Sequence, residues 1–435
     1  MGCPQIHVAI VGAGLGGLAA ATAISRAGHR VTILEQAEQL GEIGAGIQIP
    51  PNSSRLLKRW GVLQKVEEYS VRPRDFVLRS YRDGKILSKQ NLIPYAEQTY
   101  DAPYLHIHRA DFHKVMVDLA RQQGVTIQLG ATVTGINFDQ PSILLKDGTE
   151  FKADVVLGAD GLKSKCREEL LGHSDPPRLT GDLVYRMIIK ADDMKKNPQV
   201  ANLTTNPAIN YWMGPDSHAV AYLLQGGDLY NVVIAAPDNL PELVNTAKAD
   251  QEEIRNFFER WDPQLKTLLE MAQETMKWRL QNSDEMKTWS HPSGKFALMG
   301  DACHATLPYL AQGAAQAVED GAVLGALFEK LASPSQLSDL LIIYESLRKL
   351  RTTRVVKGST ALGRIFHMHD GPKQRERDRQ LSQEEPFENY PNRWADPVFQ
   401  KWLFGYDAYG EAEKAWNTYL EGKFPGTEGN FRASL

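Results

Sequence analysis

The sequence predicts an α/β fold, in which an open parallel sheet with interleaved helices is joined by an antiparallel β-sheet layer and a C-terminal helical region. Three observations predict it. An apolar strand, Ile6–Val11, runs through a Gly-rich turn and an Ala-rich helix into a second apolar strand, Val31–Leu34, which makes a β-α-β unit. From about Leu183 to Ile234, short strand-like runs alternate with Gly, Pro and Asp. After Gln251 the pattern returns to helix, interrupted by the apolar strand Phe296–Met299. At 435 residues the chain has room for at least two domains, or for one large domain with an insertion.

The elements follow in order. Gly16–Ala27 is helical and Gly28 is its stop signal. Val31–Leu34 ends at Glu35. His113–Gln122 reads as a helix and Val125–Leu129 as the strand after it. Asp147-Gly148, between Ser142–Lys146 and Glu150–Lys152, is a tight-hairpin dipeptide, because these residue types accept the positive φ such turns need. Val155–Leu157 is a buried strand. Val184–Ile189, Ile209–Met213, Ala219–Leu224 and Tyr230–Ala235 make the antiparallel layer. Gln251–Trp261 and Gln264–Glu274 are helices. Phe296–Met299 leads through a Gly/Ala-rich loop to the helix Ala314–Leu331, and Tyr344–Ile365 is a long helix rich in Arg and Lys. The charged stretch Lys373–Glu385 is expected to be a solvated loop or helix face.

Composition narrows the function. A hydrophobic fraction of 42% and a charged fraction of 23% are those of a globular chain. The net charge of −4 argues against a nucleic-acid binder. Cys3, Cys166 and Cys303 neither form a disulfide framework nor show metal-ligand spacing, so no metal site and a reducing, cytoplasmic setting are expected. The apolar run from Ile6 to Ile24 is broken by glycines and lacks a basic leader, so no membrane anchor is expected. The terminal Arg432-Ala433-Ser434-Leu435 is not a Ser-Lys-Leu address.

Gly12-Ala13-Gly14-Leu15-Gly16-Gly17 matches G-x-G-x-x-G between a strand and a helix, with the acid Glu35 closing the next strand. Gly12 allows the tight turn, Gly14 lets the backbone approach a pyrophosphate, and Gly17 lets the helix pack close to the sheet. The helix N-terminus offers N–H groups and partial positive charge to phosphates. This is a Rossmann-like dinucleotide site, with Glu35 facing the adenosine ribose, and it does not separate FAD from NAD(P). Two further stretches do. Gly300-Asp301 ends a strand and leads through His304, Pro308 and Gly313-Ala314-Ala315 to Asp320, and Ala159-Asp160-Gly161 ends another.

Together with Gly44-Ala45-Gly46, His108-Arg109, Val184-Tyr185-Arg186 and the tail Asp396–Asp407, these motifs resemble the FAD-dependent aromatic hydroxylases of the para-hydroxybenzoate hydroxylase type, nearest the fungal salicylate hydroxylase-like subgroup. The resemblance covers nearly the whole chain. It implies a discontinuous FAD-binding domain (1–75, 105–180 and 291–370), a substrate-binding domain (76–104 and 181–290) and a C-terminal helical extension (371–435). It further implies NAD(P)H and O2 as co-substrates, and a phenolic or aromatic-acid substrate oxygenated through a flavin C4a-hydroperoxide. The protein would be a monomer or homodimer.

Residue by residue, the resemblance assigns Gly12, Gly14, Gly17, Glu35, Gly46, Arg109, Asp160, Asp301, Gly313 and Ala314 to the cofactor. Arg109 would neutralise the pyrophosphate, Asp160 would serve both FAD and the nicotinamide cofactor, and Asp301 would bind the ribityl chain. Pro308 would border the isoalloxazine. On the substrate side stand Arg186, Tyr222 and His218. Arg186 is an unusual cation among Val184, Tyr185, Met187 and Ile188, suited to a carboxylate or phenolate. Some relatives carry a catalytic His one residue before the position of Tyr222. This chain has Ala221 there, which counts against a narrow salicylate assignment. Two other functions fit the motifs less directly: dearomatising hydroxylation or epoxidation of a larger scaffold, and a non-catalytic flavin- or nucleotide-binding protein.

Overall fold

The computed structural model describes residues 4–41, 44, 46–92 and 95–424; Cys3, Ala45 and the Arg432–Leu435 terminus lie outside them. Five parallel strands, in the order Phe296–Leu298, Val155–Gly158, His7–Val11, Arg30–Leu34 and Thr126–Gln128, form the first sheet. The motif strand His7–Val11 is the middle one, and both faces of the sheet are buried. Gly12 adopts a φ of +103°, and a Cβ there would sit 2.6 Å from the Ala159 carbonyl oxygen, so the turn excludes any side chain. A three-stranded hairpin sheet, Val133–Asn137, Ser142–Leu145 and Glu150–Lys152, turns at Asp147-Gly148 as the sequence indicates.

The helices Leu15–Arg26 and Gly313–Glu329 are distant in sequence and pack backbone to backbone. A Cβ on Gly16 would meet Ala317, one on Gly321 would lie 2.5 Å from the Ala20 nitrogen, and one on Gly325 would lie 2.4 Å from the Ala23 Cβ. These contacts advance in the same direction along both chains, so the two helices run parallel. Their N-termini, where backbone N–H groups lack intrahelical partners, therefore point the same way.

The second large sheet has eight strands, in the order Thr246–Lys248, Thr275–Asn282, Arg178–Lys190, Leu229–Pro237, Ser217–Leu224, Ala208–Gly214, Asp75–Ser80 and Ile86–Asn91. All neighbours are antiparallel except Ala208–Gly214 with Asp75–Ser80. Its register puts Val184, Arg186, Val220, Tyr222, Val233 and Ala235 on one face. Leu183, Tyr185, Met187, Ala219, Ala221 and Ile234 fall on the other, in an apolar core against the helices Gln251–Phe257 and Pro263–Met271.

Several elements differ from expectation. The helix read as Gln264–Glu274 ends at Met271, and Thr275 already begins a strand. His218 lies inside its strand rather than before it. The helix Pro372–Leu381 takes in most of the stretch Lys373–Glu385 and is largely exposed, but its Arg377 is buried, donating from Nη1 to the Ile365 carbonyl at 2.8 Å. The helix read as Tyr344–Ile365 spans Leu337–Phe366. Pro397–Phe404 and Ala408–Leu420 complete the C-terminal region; Asp396 caps the first by accepting from the Val398 and Phe399 amides at 3.0 Å.

Candidate active site

A cleft of about 500 Å³ lies between the two large sheets. Its floor is the carboxyl end of the parallel sheet, where Gly14–Gly16, Ala159, Gly161 and Gly300-Asp301 meet. That is where open α/β sheets bind ligands, because the helix N-termini and loop amides converge there. Its roof is one face of the eight-stranded sheet, bearing Arg186, His218 and Tyr222. The start of Gly313–Glu329 closes one side with Pro308, Gln312, Gly313 and Ala314.

The floor suits a dinucleotide. A Cβ at Gly14 would meet nothing within 4 Å, so a ligand has room against that backbone. Leu15–Arg26 and Gly313–Glu329 both begin without a side-chain cap, which leaves their first amides to the cleft. Gly17 abuts the Gly12 carbonyl, where a Cβ would fall at 2.1 Å. Arg109 lines the cleft, and its side chain passes Gly44 so closely that a Cβ there would fall 3.0 Å from Cδ. The Asp301 carboxylate is open to the cleft but ringed by protein elsewhere. That burial pushes its pKa up, against the pull of His304 and Arg109.

Three assigned residues are engaged with their own chain. Glu35 accepts from the Ala13 and Ala37 amides, both at 2.8 Å, so it shapes the Gly-rich turn. Asp160 accepts from the Ser164 hydroxyl at 2.5 Å and the Cys166 amide at 3.0 Å, and its neighbours Ala159 and Gly161 are the ones that line the cleft. Gly46 packs against the Tyr222 ring, where a Cβ would lie 2.6 Å from Cε2.

On the roof, the Arg186 guanidinium stacks over Trp278, its Cζ 5.0 Å from the ring centroid. Among the described residues no carboxylate lies within ion-pair reach of it. Burial and the nearby Arg109 lower its pKa, and Tyr222 opposes them. Tyr222 is buried, and its hydroxyl has no protein partner among the described residues; burial pushes its pKa up, so it is a phenol that donates. His218 bonds through Nδ1 to Nε2 of His367 at 2.8 Å. Ala221 faces the apolar core, so a side chain at 221 would point away from the cleft, by the alternation of strand residues; His218 and Tyr222 are the ones that face it. His106 is fully enclosed beside Tyr222, ring centroids 4.2 Å apart, and burial takes its pKa down to about 3. His108 caps its helix by accepting from the Ala110 amide at 3.3 Å.

Sequence reading missed Trp278, His367 and a buried ion network under the floor. Arg348 bridges Glu319 at 2.6 Å and Asp320 at 2.7 Å, and Arg351 holds Glu319 at 2.7 Å. Asp320 also accepts from the Gly300 amide at 2.9 Å and contacts His304 Nε2 at 2.6 Å. Asn52 links Glu319 to Gln312, at 2.6 and 3.1 Å. The network thus ties Gly300-Asp301 to the start of the Gly313–Glu329 helix. The signal for it was the adjacent acids Glu319-Asp320 inside the otherwise apolar helix Gly313–Glu329.

Comparison with known proteins accords with this geometry. The family described as FAD binding domain matches residues 5–359. The FAD-dependent monooxygenase OpS4 of Beauveria bassiana is 42% identical over 414 residues, covering 94% of this chain and 97% of that protein. The 3-hydroxybenzoate 6-hydroxylase of Polaromonas naphthalenivorans is 35% identical over 369 residues, covering 83% and 88%. Among solved structures, a salicylate hydroxylase substrate complex superposes with a TM-score of 0.79 at 24% identity, covering 94% of this chain and 97% of that one, a likeness of fold.

Proposed function

The chain belongs to the FAD-binding-domain family and is an FAD-dependent monooxygenase, and on that premise we propose that it hydroxylates a phenolic aromatic acid with NAD(P)H and O2. One observation carries the choice of substrate. Arg186, Tyr222 and His218 each present an unfilled hydrogen-bonding position to a single cleft, on the face opposite the dinucleotide floor. A guanidinium without a protein anion suits a carboxylate or phenolate. A phenol donor and an imidazole nitrogen on the same face of the roof suit a ring hydroxyl that must ionise before it reacts.

The Gly14–Gly16 amides and Arg109 would hold the FAD pyrophosphate, Asp301 the ribityl chain, and Pro308 with the Gly313 and Ala314 amides the edge of the ring system. When bound, FAD supplies the redox chemistry that draws electrons from NAD(P)H and activates O2. The protein groups hold the substrate in place, and the apolar roof residues Val184, Val220 and Val233 exclude water. A cytoplasmic setting is supported by the free, buried thiols of Cys166 and Cys303. No helix among the described residues is long and apolar enough to cross a membrane.

The test is oxygen uptake by the FAD-loaded protein with NADH and NADPH against a panel of hydroxybenzoates and uncharged phenols, with product mass. The reading expects hydroxylated acid as product, with acids preferred over phenols lacking the carboxylate. Equal use of both, or uptake that yields only hydrogen peroxide throughout, overturns it.

A further inference from the structure

The register of the roof lines up four cleft residues across the sheet. Arg186 stands opposite Val233, Val233 opposite Val220, and Val220 opposite Tyr211, and all four line the cleft. Neighbouring strands lie about 4.8 Å apart, so the backbones of Arg186 and Tyr211 are about 14 Å apart with two valines between them. The roof is therefore a bar with a cation at one end, an apolar middle, and a second polar end at Tyr211.

Gln48 completes that second end. It comes from the strand Gly46–Ile49, opposite His106 of Leu105–His108, and it too lines the cleft. Tyr104, fully enclosed just before the second of these strands, donates its hydroxyl to Gln48 Oε1 at 2.6 Å. Burial pushes the Tyr104 pKa up, so it stays a phenol, and the Trp394 N–H, which can only donate, is turned to its oxygen. The hydroxyl hydrogen of Tyr104 is thus left for Gln48. With Oε1 taken, the Gln48 amide turns its Nε2 the other way, and no hydrogen bond among the described residues uses that nitrogen. Tyr211 lies within its reach. Burial pushes the Tyr211 pKa up and the Gln48 donor opposes it, so Tyr211 also stays a phenol, its ring stacked on Phe76 with centroids 5.0 Å apart.

We infer that Gln48 and Tyr211 select a substrate carrying a second, uncharged oxygen at the end of the molecule remote from Arg186, with Tyr104 as the positioning residue that aims the Gln48 amide. The inference rests on the aromatic-acid reading given above and sharpens it. Gln48 offers N–H and Tyr211 offers O–H, so the atom between them must accept: a hydroxyl, ether or carbonyl oxygen. Both groups are neutral, so they suit an uncharged oxygen, while the anion goes to Arg186. A ring that lacks this oxygen leaves enclosed donors without partners, which is how a polar site rejects an analogue one group short. Tyr104 touches no substrate. Without its hydroxyl nothing holds Oε1, and the amide is free to turn over and face the cleft with an acceptor.

The experiment uses FAD-loaded wild type, Q48L, Q48E and Y104F. The probes are 3-hydroxybenzoate, the dihydroxybenzoates that add one hydroxyl to it, and the methyl ethers of that added hydroxyl. The readout is the ratio of kcat/KM for each two-oxygen acid to that for 3-hydroxybenzoate. Wild type should favour the best dihydroxybenzoate and its ether by about five- to tenfold, the worth of one neutral hydrogen bond. Q48L should bring both ratios close to one. Q48E keeps the shape and replaces the donor by an acceptor, so it should turn against the ether, which has no hydrogen to give, and still accept the hydroxyl. Y104F should move in the same direction as Q48E, by less. A merely structural role would lower all rates together and leave the ratios alone. Wild-type ratios near one, ratios that survive Q48L, or an ether and a hydroxyl treated alike by Q48E overturn the inference. A second arm needs no turnover: dissociation constants of the same acids are read from the change they cause in the flavin absorbance, and the same ratios are expected. A wild type that binds these acids but oxygenates none overturns the substrate reading alone, and the binding ratios then decide the role of Gln48. Acids that leave the flavin absorbance of wild type unchanged overturn both.

Discussion

Arg186 and Trp278 sit on adjacent strands, and the guanidinium of the first lies over the indole of the second at 5.0 Å. The register pairs Arg186 with Met276 and Trp278 with Val184, so the arginine reaches diagonally across the sheet to the ring. A π-face steadies a cation without neutralising it. The guanidinium therefore keeps its charge for something that enters the cleft.

Arg186→Ala should raise KM for an accepted aromatic acid by about 10- to 100-fold, the worth of a hydrogen bond to a charged group. It should also divert reduced flavin to hydrogen peroxide, because a misplaced ring no longer intercepts the activated oxygen. Arg186→Lys should recover only part of this, since an ammonium lacks the planar fork that stacks on Trp278. Thermal stability should change little, as the variant removes a half-buried cation that repels Arg109. Unchanged KM and coupling, measured by NAD(P)H oxidation against product formed, would remove Arg186 from the substrate site.

Asp301 yields a prediction with opposite signs for stability and binding. Its folded-state pKa is raised, first by burial. The fold therefore favours the protonated form, and its contribution is full below the unfolded value and lost as pH rises through the folded one. At neutral pH the apoprotein carries an unfavourable carboxylate, open to the cleft but ringed by protein elsewhere. Asp301→Asn should raise the apoprotein melting temperature at pH 7, and the gain should vanish on acidification to about pH 4 and below. The same change should weaken FAD retention. The measurements are apoprotein melting against pH and flavin content after gel filtration; an apoprotein no more stable than wild type at pH 7 contradicts the pKa assignment.

The parallel half of the fold was legible because its signals are local. Gly12 through Glu35 carry turn, helix and acid within one β-α-β unit, and Asp147-Gly148 is a hairpin by itself. The strand Thr275–Asn282 was not legible. Its Lys277 and Arg279 break the apolar pattern, and they are buried only because Glu253 and Asp238, distant in sequence, pair with them. Trp278 was lost with that strand, and so was the stacking that sets Arg186 in place. His367 is 149 residues from His218 and ends a helix rich in charge. Glu319, Asp320, Arg348 and Arg351 read as ordinary helical charges, because only tertiary packing brings the acids of one helix against the bases of another. Arg186, Tyr222 and His218 were found individually, and strand alternation explains why they share a face while Tyr185 and Ala221 do not.

Arg348→Met should destabilise the protein by about 3–5 kcal/mol, because it leaves two acids buried with half their compensation. Burial alone would raise the pKa of Asp320 and Glu319. His304 and Arg348 outweigh it at Asp320, Arg351 and Arg348 outweigh it at Glu319, and both carboxyls end below their usual range. A depressed pKa gives stability that is present above the unfolded value, about 4, and is lost as pH falls through the folded one. Urea unfolding across pH should accordingly show the variant's deficit largest at neutral pH and shrinking on acidification, as the wild type loses this contribution. Flavin content should fall too, since Asp320 holds the Gly300 amide. A variant with wild-type unfolding at neutral and acid pH would show that the network does not support the floor.

Gly321→Val separates local propensity from packing. In an isolated helix valine is a better residue than glycine by a few tenths of a kcal/mol, about 0.4. At this site a Cβ would lie 2.5 Å from the Ala20 nitrogen and 2.7 Å from the Ala19 carbonyl carbon, which are backbone atoms of the Leu15–Arg26 helix. Backbone cannot rotate aside as a side chain does, so the two helices must part. The expected cost is about 1–3 kcal/mol or more, the reverse of the propensity sign. The displacement also moves apart the two uncapped N-termini that face the cleft, so FAD affinity should fall further than stability alone accounts for. Flavin binding measured by fluorescence quenching at a temperature where the variant is fully folded tests this directly. If a folded Gly321→Val protein binds FAD as wild type does, parallel packing of the two helices is not what brings their N-termini to one ligand.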